Sequence, residues 1–199
     1  MRRSLLFVTS VIVVVGMVLS ACSAGTANVQ RTPIPTLIMA TMPAPAMASY
    51  GSALSGKGEC SIQALDLIGA WVKAGKSETD AFPFTASDGK SCTGTFGADI
   101  QWLFTEPNLW YSGSIACAAC HGSSLKTSAA QMDLTNYAGI VAGSRRTDAN
   151  AKGTSILDGK DGKWEQARIY TMIKTRAMPM GRPATSPEKG PTVLAGKKS

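Results

Sequence analysis

Two thiols and an imidazole fall within five residues, Cys117-Ala118-Ala119-Cys120-His121, in a chain with five cysteines and a single histidine. This pattern constrains the chain more than any other feature. On a helix, Cys117 and Cys120 lie one turn apart on the same face. Each sulfur can then reach one vinyl group of the same porphyrin, and His121, next in line, can take an axial position on its iron. Cys-x-x-Cys-His is the attachment pattern for haem c. Two other chemistries use paired cysteines. Zinc needs four ligands, which Cys60 and Cys92 could complete. A thioredoxin-like redox pair opens a helix after a strand in an alternating strand–helix pattern, which is not visible here. Covalent haem is the expectation.

The other cysteines divide by role. Cys22 closes the run Leu19-Ser20-Ala21-Cys22, which follows the basic Arg2-Arg3 and an apolar stretch from Leu5 to Leu19. Residues 1–21 thus have the layout of a secretory signal. The last four residues resemble the lipobox of bacterial lipoproteins, in which the cysteine is lipidated and becomes the N-terminus. The alternative is an uncleaved membrane helix, but about 15–17 apolar residues is at or below the short end for a span. Either way the rest of the chain is tethered on the periplasmic face of the cell membrane. Cys60 and Cys92 remain. In an oxidising compartment a disulfide between them is the simplest outcome, stabilising by roughly 3 kcal/mol; two separate buried thiols are the alternative.

Residues 22–57 read as a lipid-anchored flexible tether, interrupted by Pro33, Pro35, Pro43 and Pro45. The apolar Leu37-Ile38-Met39, with Met42 and Met47, suits either a partner subunit or the membrane surface. Residues 58–106 form a cysteine-bracketed extension. Ile62, Leu65, Leu67, Ile68, Trp71 and Val72 predict an amphipathic helix over 61–74. Residues 76–98 read as loop and 98–104 as a short apolar turn or helix. Residues 107–185 form the haem domain. A helix over 107–120, capped by Asn108, would deliver the motif, with Trp110 and Tyr111 as core or haem-packing aromatics. Leu134, Tyr137, Ile140 and Val141 predict a short helix over 135–141, closed by Gly143. Arg145 and Arg146 suit haem propionates or solvent. A longer helix is predicted over 161–177 from Trp164, Ala167, Tyr170, Ile173 and Ala177. Residues 186–199 read as a flexible tail. The fold class expected is mainly α.

The iron's second ligand cannot be another histidine of this chain. The turn Met178-Pro179-Met180 is the leading source, with Met178 first, Met180 as the alternative, and Met132, Met172 or an open position after them. A thioether is a soft ligand that raises the reduction potential.

From Asn108 to Pro183 the chain resembles the small class I cytochromes c, in which a Cys-x-x-Cys-His helix comes first and a C-terminal helix neighbours a Met loop. Cys117, Cys120 and His121, then 164–177, then Met178-Pro179 carry the likeness. Met180 stands where that family often has a second proline. The run Met132-Asp133-Leu134-Thr135-Asn136-Tyr137-Ala138-Gly139, with Gly143-Ser144, the lipobox and the long N-terminal extension, resembles more narrowly the monohaem lipoprotein subunit of alternative complex III, a quinol-oxidising assembly. That resemblance implies multihaem cytochrome and iron–sulfur partners, and a soluble copper protein, a cytochrome or an oxidase as acceptor. It implies electron transfer and no catalysis by the chain itself. Rival readings are a stand-alone lipoprotein carrier, a haem sensor or enzyme with an open sixth position, and a zinc-binding lipoprotein. The formal charge of +7 falls by two when Arg2 and Arg3 leave with the signal. That is a mild bias towards acidic partners, with no basic stripe and spaced aromatics of the kind nucleic acid requires.

Overall fold

A computed structural model describes residues 56–199. The signal, Cys22 and the tether lie outside the described residues. Among the described residues no helix is long and apolar enough to cross a membrane.

The chain opens with strand β1, Cys60–Gln63, which runs directly into helix α1, Ala64–Lys73. The predicted apolar face is the buried one: Leu65, Leu67, Ile68 and Trp71 are all fully enclosed. Asp66 in the first turn and Lys73 in the last suit the helix dipole. Gln63 gives α1 no side-chain cap. The first amides donate instead to a distant segment, Ala64 N–H to the Pro191 carbonyl (2.9 Å) and Leu65 N–H to that of Lys189 (3.0 Å). Gly75, at φ 100°, takes the left-handed turn beyond the helix and its amide donates to the Val72 carbonyl.

Strands β2 (Phe82–Thr85) and β3 (Ser91–Gly94) form a hairpin in the stretch read as loop. Helix α2 is Trp102–Thr105, α3 is Cys117–Cys120, α4 is Tyr137–Ala142 and α5 is Arg168–Lys174. Strands β4 (Thr192–Ala195) and β5 (Lys197–Lys198) follow. β4 pairs antiparallel with β1, Ile62 facing Val193, and β5 pairs antiparallel with β3. Cys60 and Cys92 are joined by a disulfide (S–S 1.98 Å), so it links β1 to β3, the two strands that the C-terminal segment also bridges. Buried Asp99 fixes the bend between β4 and β5, accepting from Gly196 N–H (2.6 Å) and Thr95 N–H (2.7 Å).

The expectation of a mainly α class is overturned: helices hold 31% and strands 14% of the described chain, and there are two antiparallel sheets. The physical reason is that the α-helices are short. The helix expected over 107–120 survives only as α3. Asn108 adopts φ 61°, its side chain accepts from Gly113 N–H (3.0 Å), and its amide donates to the Ser114 carbonyl (2.7 Å). Local turn bonding by Asn, Ser and Gly outcompetes the helix there. Residues 186–199 are likewise an ordered arm that caps α1 and completes both sheets, where composition suggested a flexible tail. The boundary expected at 106 is no boundary in the packing. One buried cluster runs from Cys60 and Trp71 through Phe104 and Trp110 to Ile173 and Val193. Trp71, Phe96 and Tyr137 stack within it, with Phe96 at 5.1 Å from each of the other two.

Candidate functional site

α3 carries on one turn the two free thiols found among the described residues. Ala116 precedes it in extended conformation, and His121 ends it with its amide donating to the Cys117 carbonyl (3.0 Å). The His121 side chain is nearly buried, at 9% exposure. Its Nδ1 lies 2.8 Å from the Ala129 carbonyl oxygen. A carbonyl only accepts, so Nδ1 carries a proton, and in the neutral imidazole the free lone pair is then on Nε2. This is the arrangement that fixes a metal-binding imidazole in orientation and tautomer. The segment supplying the carbonyl is itself held. Ala130 and Gln131 stand at positive φ (57° and 49°), and their carbonyls accept from Arg145 N–H (2.8 Å) and Arg146 N–H (3.2 Å).

Cys117, Cys120 and His121 line one cleft with about 250 Å³ of interior space. Its walls are overwhelmingly apolar: Phe104 and Trp110 stand on one part, Met132, Leu134 and Ile156 on another, Ile169 and Ile173 of α5 on a third. Met172, Met178 and Met180 complete the lining, so the loop after α5 closes the same cleft that α3 opens. Met178 is 36% exposed and Met180 67%. The Met178 amide donates to the Met172 carbonyl (3.0 Å), and the Tyr111 hydroxyl donates to the Met180 carbonyl. Trp110 Nε1 donates to the Leu103 carbonyl (2.9 Å), which leaves the indole face for the cleft.

The donor set and its surroundings fit a haem attached through Cys117 and Cys120. An apolar, partly open cleft suits a flat hydrophobic macrocycle, and a fixed imidazole with soft thioethers suits its iron. Zinc fits less well, because the two cysteines needed to complete its ligands are spent in the disulfide. Among the described residues no group of three or more His, Cys, Asp or Glu converges as a metal site. Cys22 lies outside the described residues.

No protein-family model, curated protein or solved structure matches the chain. The site's own chemistry therefore carries the functional reading.

Arg146 serves neither of the roles its sequence position suggested. It is buried, and its guanidinium donates to the Ala151 (3.0 Å) and Ala149 carbonyls, bracing the loop beside the His121 support. Arg145 is exposed to solvent. Arg168, the exposed first residue of α5, stands at the cleft instead. The Ala129 carbonyl, Tyr111 and Arg182 were not singled out for these roles. No side-chain pattern flags a backbone carbonyl, and Arg182 follows the Met turn without any motif of its own.

Burial pushes the Cys117 thiol up to about 11, against weaker lowering by hydrogen bonds. The sign is that of a group whose charged form is desolvated. In protein prepared without haem attachment, alkylation of Cys117 by iodoacetamide should rise about tenfold per pH unit from 7 to 10, since only the thiolate reacts. Peptide mapping after timed alkylation checks this, and a plateau near pH 8.5 would contradict it.

Proposed function

We propose that the chain is a lipid-anchored c-type cytochrome that carries single electrons on the periplasmic side of a bacterial membrane. The observation that carries this reading is the convergence of Cys117, Cys120, His121 and Met178 on one apolar cleft. Cys117 and Cys120 would hold the porphyrin by thioether bonds. His121 would offer Nε2 to the iron and Met178 its sulfur. Met178 is preferred to Met180 because it is about half as exposed. When bound, haem c supplies a one-electron iron couple.

The chain's residues do the rest. Ala129 orients His121, and Tyr111 ties down the Met180 backbone. Phe104, Trp110, Leu134 and Ile173 exclude water, which keeps the site's dielectric low. Arg168 offers the cation that propionates require. Exposed Ile115 and Met180 border the opening, where an electron partner would approach. Electron transfer needs no bound substrate, and the chain performs no bond chemistry of its own.

The wider setting is a subunit of a quinol-oxidising alternative complex III, beside multihaem cytochrome and iron–sulfur subunits, with a soluble copper protein or cytochrome as acceptor. The sequence around Met132–Gly139 and the lipobox at Cys22 support it. Purification from detergent-solubilised membranes separates this from a stand-alone carrier, which would come away alone.

The deciding experiment compares visible spectra of wild type and Met178→Ala, produced in a host that matures haem c. Wild type should show reduced c-type bands and the weak far-red band of Met-ligated ferric haem. The variant should keep the first and lose the second. Retention of the far-red band would move the ligand to Met180 or another methionine. A wild type without haem bands would sink the cytochrome reading and bring zinc forward.

A further inference from the structure

Directly after the Met turn stands an arginine with an unusual environment. Arg182 is 7% exposed. Its Nε donates to Ser186 Oγ (3.0 Å), one terminal nitrogen to the Ile173 carbonyl (2.7 Å) and the other to the Pro187 carbonyl. The guanidinium carbon lies 5.9 Å from the centre of the Trp110 ring. Trp110 and Ile173 both line the haem cleft, so the charge sits immediately behind its wall.

All these partners are neutral. Among the described residues no carboxylate pairs with Arg182. The segment before residue 56 contains no Asp or Glu that could do so. The charge that acts on it is another cation, Arg176, whose Nε donates to the Ser186 carbonyl (2.9 Å) and whose terminal nitrogen lies 4.0 Å from the exposed Glu188 carboxylate. Desolvation and Arg176 both pull the Arg182 pKa down from its ordinary value. An arginine nonetheless stays charged in protein. A buried cation left without a counter-charge is costly, and three carbonyl or hydroxyl acceptors could have been met by neutral donors.

We propose that Arg182 sets the reduction equilibrium of the bound haem: its uncompensated charge behind the cleft wall favours the ferrous state. This rests on the cytochrome reading. Reduction removes one positive charge from the iron, so a fixed cation nearby stabilises the reduced form relative to the oxidised one. At an effective dielectric of about 20, a unit charge within about 12 Å is enough for a tenfold effect. Arg182 is thus a positioning residue for the Met loop and also a permanent electrostatic bias.

The test is equilibrium redox titration of holoprotein against mediator dyes, with the far-red band and far-UV circular dichroism recorded for each variant. Arg182→Gln removes the charge and should lower the reduction equilibrium constant about tenfold, which is 59 mV for a one-electron couple. Arg182→Lys keeps the charge and should stay within about twofold of wild type. Ser186→Asp leaves the arginine in place and sets a carboxylate beside it, so it should fall like Arg182→Gln. That third variant decides the matter if either Arg182 substitution loses the fold or the far-red band. An unchanged equilibrium in Arg182→Gln or Ser186→Asp, with the band retained, would overturn the proposal. So would equal falls in Arg182→Gln and Arg182→Lys. A wild type without c-type bands is a failure of the cytochrome reading and shows before any titration begins.

Discussion

Cys117→Ser combined with Cys120→Ser should abolish covalent haem retention while leaving the protein folded. Serine forms no thioether under maturation conditions, so His121 and a methionine would be left to hold any haem by coordination alone. Coordination does not survive denaturation, whereas a thioether does. On a denaturing gel stained for haem peroxidase activity, wild type should stain and the double variant should not. Each single variant should stain at reduced yield, through the one remaining bond. The fold should tolerate the change. By exposed surface both cysteines are only half-buried, neither is in a disulfide, and the Cys117 sulfur makes only a long hydrogen bond to the Leu103 carbonyl, at 4.0 Å. A double variant that still carried haem through denaturation would refute the assignment of these two thiols.

Cys60→Ala with Cys92→Ala should cost stability without touching the spectrum. The disulfide closes a loop spanning 32 residues. The chain-entropy estimate for such a loop is about 3.5 kcal/mol, which for a domain of this size lowers Tm by about 10 °C. Neither sulfur lines the cleft of Cys117, Cys120 and His121, so absorption at room temperature should match wild type. Both are almost fully buried, so mild reductant added to folded wild type should do little. Thermal unfolding followed by far-UV circular dichroism measures the effect. A Tm within about 2 °C of wild type would mean that the pairing of β1 with β4 and β3 with β5 already holds these strands without it.

Residues whose signal is local were read well. The 3.6-residue recurrence of Leu65, Ile68 and Trp71 is the buried face of α1. Gly143, at φ 85°, closes α4 as its chemistry suggested, while the start moves from 135 to Tyr137, because the Asn136 side chain caps it by accepting from Gly139 N–H (2.8 Å). The expected helix over 161–177 divides into a 3₁₀ turn at Trp164–Gln166 and α5, because Ala167 is extended between them. The strands were not legible. Each of β1 to β4 is four residues long, too short for alternation to register, and β2 carries Pro83 at a sheet edge, where it demotes a strand reading. Apart from the local β2–β3 hairpin, the pairings join distant sequence, as with Thr93 and Lys197. At the site, the thiols and imidazole announce themselves by spacing. The Ala129 carbonyl and the Arg182 guanidinium act through tertiary placement, which no spacing records.

β1 and β4 are partners across roughly 130 residues of chain, a separation at which closure is entropically late. Until Thr192–Ala195 arrives, α1 lacks the carbonyls that receive its first amides, and the ladder on β1 is unformed. The Cys117–His121 segment lies between the two strands in sequence, so it is displayed early, on a chain whose two ends have not yet met. If haem is attached as we propose, the attaching enzyme meets the thiols before the cleft walls come together. The Cys60–Cys92 loop is far shorter and closes early. Its oxidation removes two competing thiols and leaves Cys117 and Cys120 as the reduced pair among the described residues.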